Sequence, residues 1–175
     1  ICLSILCTHA DIRADTSGGS LALETGDLAI NQVTPNAGQV GKFELFELTI
    51  DLSATYDNPF DPDDIEVLGH FTSPSGDNLT IPGFYYQGYT RSLLGESEEL
   101  EAQSTPCWKV RFSGSETGTW GYYVTARDRN GEVTSEAGTF TVTDSTNPGY
   151  IRRNQVENYH LEFDSGEPYF AVGPS

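Results

Sequence analysis

Methionine is absent from the chain, and cysteine, histidine and basic residues are scarce: three Cys, three His, and nine Lys plus Arg against 26 Asp plus Glu. Each shortage excludes something. The formal net charge of −17 repels nucleic acid and anionic membranes, so neither is expected as a partner. No stretch approaches the ~20 apolar residues of a membrane helix, so no membrane span is expected. His9, His70 and His160 are scattered and form no metal-ligand spacing. No Ser/His/Asp set, phosphate-binding loop or dinucleotide signature appears, so no cofactor is expected. Cys2 and Cys7 lie in the apolar start of the chain, which leaves Cys107 without a disulfide framework. No histidine is near Cys107 in sequence, which favours a structural thiol over a nucleophile.

Ile1–Cys7 resembles the end of a signal-peptide apolar region, and Arg13–Ala14 is a plausible cleavage point. Residues 1–14 are therefore expected to be the remnant of an export signal, which places the protein outside the cytoplasm, secreted or at the cell surface. A lipid attachment at Cys7 is disfavoured, because Leu6 is large where a small residue is usual. Residues 15–27 are rich in Gly, Ser and Thr and are expected to be a linker.

Period-two alternation begins near Gln39. Phe46, Leu48, Ile50 and Leu52 share one face, while Phe43 and Leu45 fall on the other, so a bulge near Leu45–Phe46 is expected. Ile65, Val67 and Phe71 alternate next, followed by a turn at Ser73–Gly76 and a short strand at Leu79–Ile81. Trp108, Val110 and Phe112, then Trp120, Tyr122, Val124 and Ala126, and last Phe140 and Val142 continue the inward series. Asn130–Gly131 reads as a type I′ hairpin turn, with both residues at positive φ. Short strands at this spacing with no helical period predict an all-β fold, an immunoglobulin-like antiparallel β-sandwich over residues 28–144. Residues 145–158 are expected to be a connector. Residues 159–175 read as a strand, a turn at Asp164–Gly166 and a second strand from Glu167 with no following partner, as if a further domain began there.

Three segments could carry chemistry. Asp57, Asp61, Asp63 and Asp64 cluster on one stretch and could hold calcium, but the spacing is not that of an EF-hand loop, and two prolines favour a rigid turn. Phe84, Tyr85, Tyr86 and Tyr89 with Arg91 form the densest aromatic stretch. Three readings of it stand: core packing, contact with a neighbouring domain, or direct contact with a polysaccharide. Glu96, Glu98, Glu99 and Glu101 are numerous enough for the carboxylate pair of glycoside hydrolysis, but their polar surroundings favour a solvated loop.

Taken together, Phe43–Thr49, Asn58–Phe60, Phe71–Gly76, Ile81–Arg91, Trp108–Phe112, Glu116–Trp120 and Gly138–Thr143 resemble a bacterial family of unknown function found at the N-terminus of secreted glycoside-hydrolase-like proteins. Asn147–Arg152 and Phe163–Gly173 resemble the connector and first strands of the (β/α)8 barrel that follows in such proteins. The resemblance implies a non-catalytic accessory domain that packs on and orients a downstream barrel of the same polypeptide. A carbohydrate-binding module and a cell-surface adhesion domain are the alternatives. In such barrels the catalytic acids lie on later strands, so the resemblance assigns no catalytic residue here.

Overall fold

The computed structural model describes residues 27–95, 97–103, 105–171 and 173. The expected leader and nearly all of the expected linker lie outside them. Among the described residues there are fifteen strands and no helix. They are β1 (Ala29–Pro35), β2 (Gln39–Gly41), β3 (Phe46–Ser53), β4 (Ile65–Thr72), β5 (Asn78–Pro82), β6 (Phe84–Tyr86), β7 (Tyr89–Leu94), β8 (Ser97–Ala102), β9 (Cys107–Phe112), β10 (Gly118–Asp128), β11 (Gly131–Thr134), β12 (Gly138–Thr143), β13 (Ile151–Arg153), β14 (Leu161–Phe163) and β15 (Pro168–Tyr169).

Two sheets form the sandwich. One runs β1-β3-β9-β6; the other runs β2-β12-β10-β4-β5, with β11 also paired to β10. All of these pairings are antiparallel except β2 with β12. The inward residues meet between the sheets as the alternation requires. Phe46 of β3 stacks on Phe140 of β12 with centroids 3.7 Å apart, and Phe71 of β4 stacks on Phe112 of β9 at 4.1 Å. Trp108, Val110, Trp120, Val124, Ala126 and Val142 are buried with them. Gly69 interrupts the inward series of β4 for a steric reason: a Cβ there would stand 2.6 Å from a methyl of Val110.

Several local expectations are corrected. Lys42–Leu52 does not hold a bulged strand. β3 begins at Phe46, Leu45 is exposed, and Phe43 leaves extended geometry with φ of 63°. The slip in alternation therefore comes from a turn, with Glu44 N donating to Gly41 O. The real bulge is in β1, between Ile30 and Gln32. Asn31 is displaced outward there, and its amide bonds Ser53 Oγ at 3.0 Å. Ile30 and Val33 both reach the core, at a spacing of three that hides the strand from a period-two reading.

The β10–β11 hairpin exists, but its turn is not type I′. Asp128 pairs with Gly131, so Arg129 and Asn130 are the central residues, and Asn130 is not at positive φ. Buried Asp128 shapes the turn by accepting hydrogen bonds from Asn130 N and Thr55 N, both at 2.7 Å.

The C-terminal segment is a third sheet, β13-β14-β15. The connector is thus partly strand, since β13 lies within it. A fourth, two-stranded sheet is formed by β7 and β8 alone. The stretch read as a solvated acidic loop supplies β8.

Candidate functional site

The aromatic stretch does not form one patch. Successive residues of a strand face opposite ways, and β6 is an edge strand on β9. Tyr85 turns inward and packs on Trp108 at 5.7 Å. Phe84 and Tyr86 turn to the outer face, where β9 presents Lys109 and Arg111. Lys109 Nζ sits over the Tyr86 ring at 4.4 Å, and the Arg111 guanidinium sits over Phe84 at 5.0 Å. Tyr89 and Arg91 belong to β7, on the separate hairpin, where Arg91 pairs with Glu98 at 2.8 Å.

Glu47 of β3 completes the outer cluster. Its carboxylate accepts from Lys109 Nζ and Arg111 Nε, both at 2.6 Å. Burial alone would raise its pKa; the hydrogen bonds and charges of the two cations outweigh burial and hold it below the ordinary carboxylate range. The group is self-compensating, with the ring faces covered by cations and the cations held by the carboxylate. Sequence spacing could not show this, because Glu47 and Arg111 are brought opposite each other by the β3–β9 register.

The four aspartates point to different tasks. Asp57 pairs with Arg129 at 3.0 Å. Asp64 accepts from Asn58 N at 3.1 Å, and Asp61 from Asp63 N at 3.0 Å. Among the described residues no group of three or more His, Cys, Asp or Glu is set to hold a metal ion. The loop's rigidity serves Phe60, which projects 72% exposed with its ring against Tyr85 at 6.0 Å. A phenylalanine between two prolines, in a segment of Asx turns, is the signal that could have singled it out.

The motif Glu116–Trp120 is structural. Glu116 accepts from Ser75 Oγ at 2.8 Å through its carboxylate and from Trp120 Nε1 at 2.9 Å through its carbonyl. It fastens the Ser73–Gly76 turn to the buried tryptophan.

The junction between the sandwich and the third sheet is held by several contacts. Phe43, at positive φ, donates its N–H to Gly114 O at 2.9 Å, and its ring meets Tyr150 edge-on at 5.2 Å. Tyr150 donates its hydroxyl to Ser113 O at 2.6 Å. Asn147 Nδ2 donates to Phe43 O at 3.2 Å, and Ser145 Oγ to Lys42 O at 2.6 Å. Gly149, φ 92°, fits where a Cβ would stand 2.7 Å from Asp164 Cβ and 2.9 Å from the Phe43 ring. The third sheet beyond it is inverted in character. Glu162 is buried with Arg152 and Asn154 as partners, whereas Ile151 and Leu161, on the opposite face, are exposed.

The family model for a domain of unknown function, DUF5060, matches residues 39–127, half of the chain. The chain belongs to the DUF5060 family. The match runs from β2 almost to the end of β10 and spans most of the sandwich. No curated protein matches the chain. Among solved structures, the DUF5060 chain is similar to a protein from Bacteroides vulgatus named as a putative glycoside hydrolase, with a TM-score of 0.50 and 21% identity. The alignment covers 77% of this chain and 22% of that one. This likeness concerns the fold, and the aligned region spans about a fifth of that protein's length.

Proposed function

We propose that this chain is the immunoglobulin-like, non-catalytic domain of an exported carbohydrate-active protein, and that it packs on and orients a linked barrel; β13–β15, which pair antiparallel, lead into that barrel rather than forming its parallel strands. The observation that carries this reading is the junction. A flexible tether would need none of the Phe43, Tyr150, Asn147 and Gly149 contacts; a bracket that fixes direction needs all of them. The partly uncovered apolar face of the third sheet supports it, since Ile151 and Leu161 are left for something else to cover. The name of the solved relative supports a glycoside hydrolase as the linked body, and the leader-like residues 1–14 support export. The test is to delete the sandwich from the full-length polypeptide and measure thermal midpoint and hydrolysis of polysaccharides. A remainder as stable and as active as the whole would sink the reading.

A second reading, polysaccharide binding by the sandwich itself, draws on exposed rings such as Phe60 and Tyr89, 72% and 57% exposed. Phe84 and Tyr86 fit it poorly, because Lys109 and Arg111 occupy the ring faces that a sugar would stack upon. Affinity electrophoresis on a panel of neutral polysaccharides, with Phe60→Ala and Tyr89→Ala as controls, decides it. Unretarded migration of the folded protein on every gel would exclude it.

A further inference from the structure

We infer that Arg111 is a carboxylate-receiving subsite for an acidic polysaccharide, one whose uronic-acid groups are spaced along a neutral chain. The inference takes from the accessory-domain reading only that the protein meets carbohydrate. It names a ligand class that binding through stacked neutral sugars leaves out.

The charge count of the outer cluster carries it. Glu47 is one carboxylate between two cations, Lys109 and Arg111, each at 2.6 Å, so one positive charge is left over. The other paired arginines differ. Arg91, Arg127, Arg129 and Arg152 each have a carboxylate that no second cation shares among the described residues. Of the two cations on Glu47, Arg111 is the one a ligand reaches: its side chain is 48% exposed, against 15% for Lys109. Arg111 bonds Glu47 through Nε, and neither of its Nη groups donates to a described residue. The free Nη edge is a fork that holds a carboxylate through two parallel N–H···O bonds.

The guanidinium is in place before a ligand arrives. Its Nε is tied to Glu47, and its centre lies 5.0 Å from the Phe84 ring and 5.8 Å from the Tyr86 ring. A side chain held in this way loses little freedom on binding, which favours affinity. The rings do not stack on the sugar; they seat the cation that receives its carboxylate.

Charge selects the ligand. One spare positive charge matches a monoanionic group better than a doubly charged phosphate. The chain carries −17 overall, which repels a dense polyanion along its length. A uronate diluted among neutral sugars needs only one carboxylate at the cluster. The next acid on this face of β3 is Asp51, four residues from Glu47 and so about 13 Å along the strand. That is beyond the screening length of ~8 Å at physiological salt. An acidic peptide offers the same carboxylate; the carbohydrate reading favours the sugar, and the experiment separates the two.

The experiment is affinity electrophoresis of the full-length polypeptide on three gels: glucuronoxylan, the same polymer with its carboxyl groups reduced to alcohols, and polyglutamate. Wild type is run beside Arg111→Gln and Arg111→Lys, with thermal midpoints to check folding. Wild type should bind glucuronoxylan at least about tenfold more tightly than the reduced polymer. That excess should vanish in Arg111→Gln, survive only in part in Arg111→Lys, and fade as NaCl rises to ~0.5 M. Equal affinity for the two polymers, or an excess that persists in Arg111→Gln, overturns the subsite and leaves the accessory reading standing. Polyglutamate bound as tightly through Arg111 overturns the sugar as its ligand. Where Arg111→Gln lowers the midpoint, NMR of the wild type decides: glucuronate, and not glucose, must shift the Arg111 Nε–H signal, and no shift overturns the subsite. If deleting the sandwich leaves stability and hydrolysis unchanged while Arg111-dependent retardation persists, the accessory reading fails and the subsite stands.

Discussion

Gly149→Ala should open the junction without unfolding the sandwich. Two costs add. Gly149 has φ of 92°, a region an L residue enters at about 1–2 kcal/mol. The new Cβ would stand 2.7 Å from Asp164 Cβ and 2.9 Å from the Phe43 ring, and an overpacked contact of that kind costs about 1–3 kcal/mol. Together they come to about 2–5 kcal/mol, enough at the lower bound to raise local opening about 30-fold. The core lies away from this point, so the effect should be local. Amide exchange read by NMR checks it. Tyr150 N, Asp164 N and Ser165 N, which bond Asp164 Oδ2, Tyr150 O and Pro148 O, should lose protection, while Val110 and Val124 keep theirs. Equal loss across the core would mean that the third sheet and the sandwich unfold as one unit. Unchanged protection at all three junction amides would refute the argument that Gly149 is sterically required.

Phe46→Ala removes a fully buried ring stacked on Phe140 and should cost about 3–5 kcal/mol in urea unfolding; a loss below ~1 kcal/mol would show that the core collapses to fill the space. Glu47→Gln removes a carboxylate whose folded pKa is lowered. Such a group adds stability above its unfolded pKa and loses it as pH falls through the folded value, so wild type should exceed the variant at neutral pH and converge with it below about pH 4 in thermal melts. Glu116→Ala frees the Ser73–Gly76 turn and should cost about 1 kcal/mol, with faster exchange confined to residues 73–77. Tyr150→Phe deletes the hydroxyl that bonds Ser113 O and should weaken the junction by about 0.5–1.5 kcal/mol, seen at the Asp164 and Ser165 amides and not in the global midpoint.

The sandwich was legible because burial on one face of a strand writes period two into the sequence. Every inward residue expected from Ile65 to Val142 in the main strands is buried. What escaped is where backbone geometry departs from that period. β1 was hidden by the bulge at Asn31, and the turn after β10 was misread because Asp128, not a positive φ at Asn130, shapes it. The aromatic stretch was correctly seen as partly core, since Tyr85 packs on Trp108. Its division into an inner ring, an outer cation-capped pair and a hairpin residue depends on register with β9 and β8, which come later in the chain. β8 was taken for a loop because a strand exposed on every side carries no burial pattern to read.

Phe43 shows why the junction, rather than either sheet, deserves the functional weight. A tight turn between β2 and β3 could be made with glycine at position 43 at no steric cost, whereas an aromatic residue held at φ of 63° carries strain of about 1–3 kcal/mol. The sandwich core gains little in return: Phe43 is only half-buried and is not among the buried core residues. Its ring contacts are Tyr150 edge-on, Lys42 Nζ at 4.9 Å and the space that Gly149 leaves open. Two of these three lie across the junction. Strain that persists is balanced by what the strained residue touches, and here that is the third sheet. The same direction is seen in Gly149, whose conformation and missing side chain accommodate the Phe43 ring. The pair ties the third sheet to the sandwich, which is what the proposed bracket requires.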